Sequence, residues 1–259
     1  NLSTLGGKTA GTVTVTNAVV ITGDHDQLTA ALVTAGTKVS AGTATVTVND
    51  ADATAITAAE LSDIGSSTTG VVTVTNAVAI TGTAAEVTAA LVTAGSLVVV
   101  EDAAVTITGN PTITELNNIA AKTTGVVTAT LAAASLSDLG DLTTAATDAI
   151  TITVNDADDA AVTAANLSTL GGKTAGTVTV TNAVVISGTP AEVTAALVTA
   201  GTKVEVSDAK VTVSGNPTIT QFNNIAAETT GAVTATLAAA SLSDLGSLDT
   251  AATDVITVT

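Results

Sequence analysis

Nine times along this chain a serine, threonine or aspartate is followed three residues later by Glu, Gln, Asp or Asn, and at once by a large apolar residue. The pairs are Asp24/Gln27, Thr57/Glu60, Thr83/Glu86, Thr112/Glu115, Ser135/Asp138, Thr163/Asn166, Thr189/Glu192, Thr218/Gln221 and Ser241/Asp244. An oxygen at the N-cap accepts from the backbone N–H three positions on, and the side chain there reaches back, so each pair predicts a helix start. The residues that follow, Leu28, Leu61, Val87, Leu116, Leu139, Leu167, Val193, Phe222 and Leu245, then lie on the face that packs inward.

From Thr57 onward the starts are 26, 29, 23, 28, 26, 29 and 23 residues apart. Four intervals make a long repeat of 106 residues, which carries Leu61 onto Leu167, Gly70 onto Gly176, Asn110 onto Asn216 and Ser135 onto Ser241. Asn1 to Gly23 also recurs as Asn166 to Gly188, with Thr22 becoming Ser187. The first interval, Asp24 to Thr57, spans 33 residues where the repeat has 80, so 47 are missing, the length of two coils. A stack in which each layer touches only its neighbours tolerates such a loss. The expected fold is an α/β solenoid of about nine to ten stacked coils, each with short parallel strands and a short capped Ala-rich helix. It is expected to run as one continuous domain over residues 1–259.

Composition supports thin layers. Phe222 is the one aromatic residue, and Ala, Thr and Val dominate, so no wide core can be filled. Gly176 to Gly201 shows one coil, with near-copies at Gly11 to Gly36 and Gly70 to Gly95. Val178 and Val180 alternate with Thr177, Thr179 and Thr181, the period of a half-buried strand with valine inward. Asn182-Ala183 turns the chain, Val184 to Ile186 runs extended, and a helix is expected over Pro190–Ala200 with Gly201 as its C-cap.

Two resemblances follow from these residues. VTVTNAVVI, in coils of 23 to 29 residues, is similar in layout to the LxLxxNxLxxL strand and turn of leucine-rich repeats. The stretch ITITVNDADDAAVTAANLSTLGGKTAGTVTVT, Ile150 to Thr181, resembles the Ala/Thr/Val-rich repeats of giant cell-surface proteins of aquatic bacteria, notably marine cyanobacteria. That likeness covers essentially the whole chain. It implies secretion and a role in the cell envelope, adhesion or motility, and it carries no catalytic residue across.

The formal charge is −17, from 23 acidic residues against six lysines, which opposes binding to nucleic acid or anionic lipid. Threonine interrupts every apolar run, so no membrane insertion is expected. The expected location is extracellular, at the cell surface. Asn1 falls inside a helix by comparison with Thr163, and Thr259 inside a strand, which reads as a fragment of a longer repeat protein.

Few residues invite chemistry. VNDAD occurs at Val48 to Asp52 and again at Val154 to Asp158, extended by Asp159. Asp50, Asp52, Asp156, Asp158 and Asp159 allow two readings: turn formers and helix caps, or part of a calcium site, since hard cations take carboxylate and amide oxygens. No other cofactor is expected. His25, the one histidine, has no second His or Cys to join it as a metal ligand and reads as a loop residue. GGKT at Gly171 to Thr174 is not a P-loop, because the first glycine of that motif falls on Leu167. Lys8, Lys122 and Lys173 follow helices, where a cation complements the C-terminal dipole.

Outward threonines at Thr14/Thr16, Thr73/Thr75, Thr128/Thr130, Thr151/Thr153, Thr179/Thr181 and Thr234/Thr236 form T-x-T pairs that would stack as in ice-binding solenoids. Lys203/Glu205 or Val99/Glu101 break the rank once per cycle. Asn117-Asn118 and Asn223-Asn224 suit either an internal amide ladder or exposed helix ends. The functional expectation is a non-enzymatic structural segment, a stiff spacer or building unit of a filament or surface layer. Its partners are copies of itself or other cell-surface components. A calcium-dependent adhesin module is the alternative, and ice binding a minor one.

Overall fold

The structure, a computed structural model, describes residues 1–37, 39–202 and 204–258. It is an α/β fold in which strands of the described residues pair in parallel, arranged in two compact units, Asn1–Thr130 and Leu131–Thr259. Lys203 and Thr259, each part of an expectation above, lie outside the described residues.

All nine expected caps start helices. They open His25–Leu28, Ala58–Ser66, Ala84–Val87, Ile113–Ala120, Leu136–Leu139, Ala164–Gly171, Pro190–Leu197, Ile219–Ala226 and Leu242–Leu245, and each cap oxygen accepts from the N–H three residues on. The return bond closes the box at Thr57, Thr83, Thr112, Thr189, Thr218 and Ser241. A further helix, Leu2–Gly6, matches the end of Ala164–Gly171 in the repeat. Such short helices are unstable alone and depend on the apolar residue behind each cap. Eight of those residues, from Leu28 to Phe222, are at most 1% exposed, while Leu245 is half-buried.

Helix ends depart from expectation. Pro190–Leu197 stops before Ala200, and its C-cap is Val198, not Gly201. Both the amide and the hydroxyl of Thr199 return to the Thr194 carbonyl, a wide turn that ends the helix before glycine is reached. In the near-copies the same sequence is wound as π-helix, Thr29–Val33 and Thr88–Val92, closed by Thr34 and Thr93 in the same way.

In the N-terminal unit one ladder runs Val20–Gly23, Thr45–Val48, Val72–Val74, Val98–Val99, and a second runs Ala55–Thr57, Ala79–Thr83, Ala104–Thr108, Val127–Thr130. Val13–Thr14 pairs with Val39–Ser40. In the C-terminal unit, Ala149–Val154, Val178–Val180 and Glu205–Val206 form one ladder. The other runs Ala161–Thr163, Val185–Gly188, Lys210–Val213, Val233–Thr236, Val255–Thr257. Register keeps apolar residues in line and inward, as in Ile21↔Val46↔Val72 and Ile186↔Val211↔Val233. Valine alternates with threonine on the opposite face, as the pattern predicts.

The pairing itself is not one-to-one. Most cap-to-cap segments hold two strands, one after the helix and one before the next cap, but the 23-residue segments hold only Val127–Thr130 or Val233–Thr236. In the C-terminal unit the ladder starts on strands that precede helices, passes through the single strand Val233–Thr236, and ends on Val255–Thr257, which follows a helix. A short segment therefore hands a ladder from one strand position to the other.

Candidate functional site

The two VNDAD motifs sit in turns that follow Thr45–Val48 and Ala149–Val154. In the N-terminal unit Asp50 is buried and reaches the helix start at His25: its Oδ2 accepts from the His25 backbone N–H at 2.8 Å, and its Oδ1 lies 2.7 Å from His25 Nδ1. In the C-terminal unit Asp156 Oδ2 accepts from the Leu136 backbone N–H at 2.7 Å. Each aspartate thus satisfies an amide that the cap residue leaves unpaired at the first turn of a helix.

The second aspartates act one segment further on. Asp52 Oδ1 accepts from Ala77 N–H at 3.2 Å and Asp158 Oδ1 from Ala183 N–H at 3.1 Å. In return Asn76 Nδ2 donates to the Asp50 carbonyl, and Asn182 Nδ2 to the Asp156 carbonyl. The backbone is left-handed at Ala53 and Asp159, with φ of 60° and 61°. That conformation is uncommon for alanine and easier for aspartate. Asp159 Oδ1 also binds Lys210 Nζ at 2.5 Å, which holds that ammonium's pKa above the usual lysine value.

Asp50, Asp52, Asp156, Asp158 and Asp159 thus point at amides, an imidazole and an ammonium, and bind successive segments together. Among the described residues no three His, Asp or Glu side chains converge as a metal would require. His25 is not the loop residue expected. It is the first residue of its helix, and its side chain is 14% exposed. Burial alone lowers its pKa, but the hydrogen bond and charge of Asp50, with Asp26 and Glu60 behind, outweigh it and hold the imidazolium above its ordinary value. Asp26 Oδ1 lies 3.7 Å from His25 Nε2.

A second recurring contact was not singled out from sequence, where Thr-x-Gly also occurs at Thr34, Thr93, Thr169 and Thr199, whose hydroxyls turn back to carbonyls four or five residues earlier. Thr68, Thr123, Thr174 and Thr229 each accept from the N–H of the glycine two residues on, Gly70, Gly125, Gly176 or Gly231. The same hydroxyls donate to carbonyls of the preceding strand's entry, at Ala44, Ala103, Ile150 and Ala209, over 2.5–2.8 Å. A Cβ on any of those four glycines would collide with that same backbone. Glycine is required there by close approach.

The threonine ranks divide. Thr73 pairs with Val99 and Thr179 with Glu205, the expected breaks. But Thr57, Thr81, Thr106 and Thr128 form an unbroken rank in the N-terminal unit, with Thr83 beside Thr108 next to it. The Asn223 side chain donates to the Ser247 carbonyl and accepts from Asp249 N–H, which favours a segment-to-segment brace over an amide ladder. Lys173 donates to the Leu142 carbonyl, an acceptor outside its own helix. No helix is long and apolar enough to cross a membrane among the described residues. No protein-family model, curated protein or solved structure matches the chain.

Proposed function

We propose that this chain is a non-enzymatic structural repeat segment of an extracellular or cell-surface protein. It is an α/β solenoid of stacked coils that serves as a stiff spacer or as a building unit of a filament or surface layer. The observation that carries this reading is where the polar side chains go. Cap oxygens are spent on their own helices, Asp52, Asp156, Asp158, the Asn76 and Asn182 amides and the Thr-x-Gly hydroxyls on backbone groups of a neighbouring segment, Asp50 on an amide and an imidazole, and Asp159 on an ammonium. Such bracing resists extension along a stack and leaves little for chemistry. The acidic surface keeps it soluble.

Antibodies against the chain should label intact cells that produce it. Labelling that appears only after permeabilisation overturns the surface reading. For the calcium alternative, melting with and without chelator decides, because a ligand of the folded state raises its midpoint. One specific observation favours ice binding as a second reading: the rank Thr81, Thr106, Thr128 presents hydroxyls at strand spacing, about 4.8 Å. Thermal hysteresis at high protein concentration is its readout, and none would dismiss it.

A further inference from the structure

We propose that the cleft between the helices Leu136–Leu139 and Ala164–Gly171 of the C-terminal unit binds a short aliphatic carboxylate, with its head on Lys173 and its tail on a floor of leucines. Such a site goes beyond the structural role and does not depend on it.

The cleft follows from unequal helix lengths. Leu136–Leu139 has four residues and is followed by Gly140, whereas its neighbour Ala164–Gly171 has eight, which makes it about 6 Å longer at 1.5 Å per residue. The second turn of the longer helix therefore has no helical turn opposite it. Asn166, Leu170 and Lys173 recur at spacings of four and three, so one face of that helix and of its exit lines the cleft. Leu136, Leu139 and Leu170, each at most 7% exposed, make the floor. The volume is about 280 Å³, at the small end for ligand pockets, which limits the occupant to a few carbons.

The polar wall offers donors that the chain itself does not use. Asn166 caps through its backbone alone: its N–H donates to Thr163 Oγ1, but its side chain does not close the box as Glu60 and Glu192 do. Among the described residues, the Asn166 amide and the Ser137 hydroxyl have no hydrogen-bond partner, and both line the cleft. Lys173 Nζ donates once, to the Leu142 carbonyl, and an ammonium has three donors. It is half-buried, and among the described residues it has no carboxylate partner, whereas the exposed Lys210 binds Asp159.

A half-buried ammonium without a counter-charge is costly, and the chain holds 23 acidic residues that could have supplied one. An anion from outside meets that charge, and partial burial strengthens the attraction. The leucine floor selects among anions: phosphate or sulfate would leave it bare, while a carboxylate on a short hydrocarbon chain covers it. The net charge of −17 repels anions at long range, and salt screens that repulsion.

NMR spectra of leucine methyls and backbone amides in the 259-residue chain, titrated with hexanoate in screening salt, provide the test. Hexanoate should shift the Leu136, Leu139 and Leu170 methyls saturably at millimolar concentration. Acetate, which lacks the tail, and hexanol, which lacks the charge, should each bind about tenfold more weakly. Lys173→Met keeps an apolar stem and should weaken hexanoate about tenfold, and Asn166→Ala about threefold. Circular dichroism melts check that both variants fold; were Lys173→Met to unfold, Asn166→Ala decides, since its side chain bonds nothing within the chain. The absence of a saturable shift with hexanoate, hexanol binding as well as hexanoate, or a folded variant that responds like wild type would each overturn the proposal.

Discussion

Val20–Gly23 in the N-terminal unit and Val185–Gly188 in the C-terminal unit are repeat equivalents that meet different partners. The first pairs at once with Thr45–Val48, whereas the second reaches Val255–Thr257 only through Lys210–Val213 and Val233–Thr236. The 47 residues missing from the first interval are therefore two rungs of a ladder with their helices. Closing the gap required a slip. Gly188 lines up through Val213 and Ala235 with Ile256, the equivalent of Ala44, while Gly23 lines up with Val48, four residues further on. Four is even, so every side chain stays on its own face of the sheet; a slip by an odd number would have turned the valines to solvent. The missing segment is tolerated because strand period and coil length are compatible.

The gap also brings a different helix to the VNDAD aspartate. Asp156 meets Leu136 at a Ser135 cap, but Asp50 meets His25 at an Asp24 cap, and gains an imidazole as partner.

The largest effect should separate the glycines crowded by backbone from Gly11, where a Cβ would meet Thr9 Oγ1 at an ordinary 3.6 Å. Gly70→Val and Gly176→Val should each destabilise their own unit by about 3 kcal/mol in denaturant titrations, and Gly11→Val by less than about 0.5 kcal/mol. Equal losses at all three would break the account of close approach. Next come the aspartates. Asp50→Ala should cost about 2 to 3 kcal/mol, since it strips a buried, charge-assisted pair from His25, and Asp156→Ala about 1 kcal/mol, the loss of one amide cap. A larger cost for Asp156→Ala would reverse the comparison.

The smallest effect is a pH dependence that His25 gives the N-terminal unit near neutrality. His25 has a folded pKa above the ordinary histidine value of about 6.5, so its stabilisation is full below that value and fades as pH rises through the folded one. Imidazole proton shifts should titrate above the unfolded value in wild type and fall back in Asp50→Asn. An unmoved titration would show that Asp50 does not govern the imidazole.

Much of this was legible in sequence because it is local. A cap needs only its own four residues, so Thr57/Glu60 or Thr218/Gln221 could be read without knowing the neighbours. The alternation of Val178 and Val180 with threonine likewise implies which face is buried. The roles of Asp50 and Asp156 remained open between cation ligand and cap, because their partners lie 25 and 20 residues away. The end of Pro190–Leu197 is not legible in the same way: glycine at position 201 suggests a cap, yet Thr199 closes the helix first.

By itself, then, the sequence determines where helices start, which strand face is apolar and how long each segment is, since backbone capping and side-chain period act over a few residues. Only the tertiary structure decides which strand adjoins which, that a 23-residue segment passes a ladder across, and that Thr-x-Gly grips the layer before it. Those choices turn on backbone groups that every strand carries alike, so nothing in a strand's own residues names its partner until the layers are stacked.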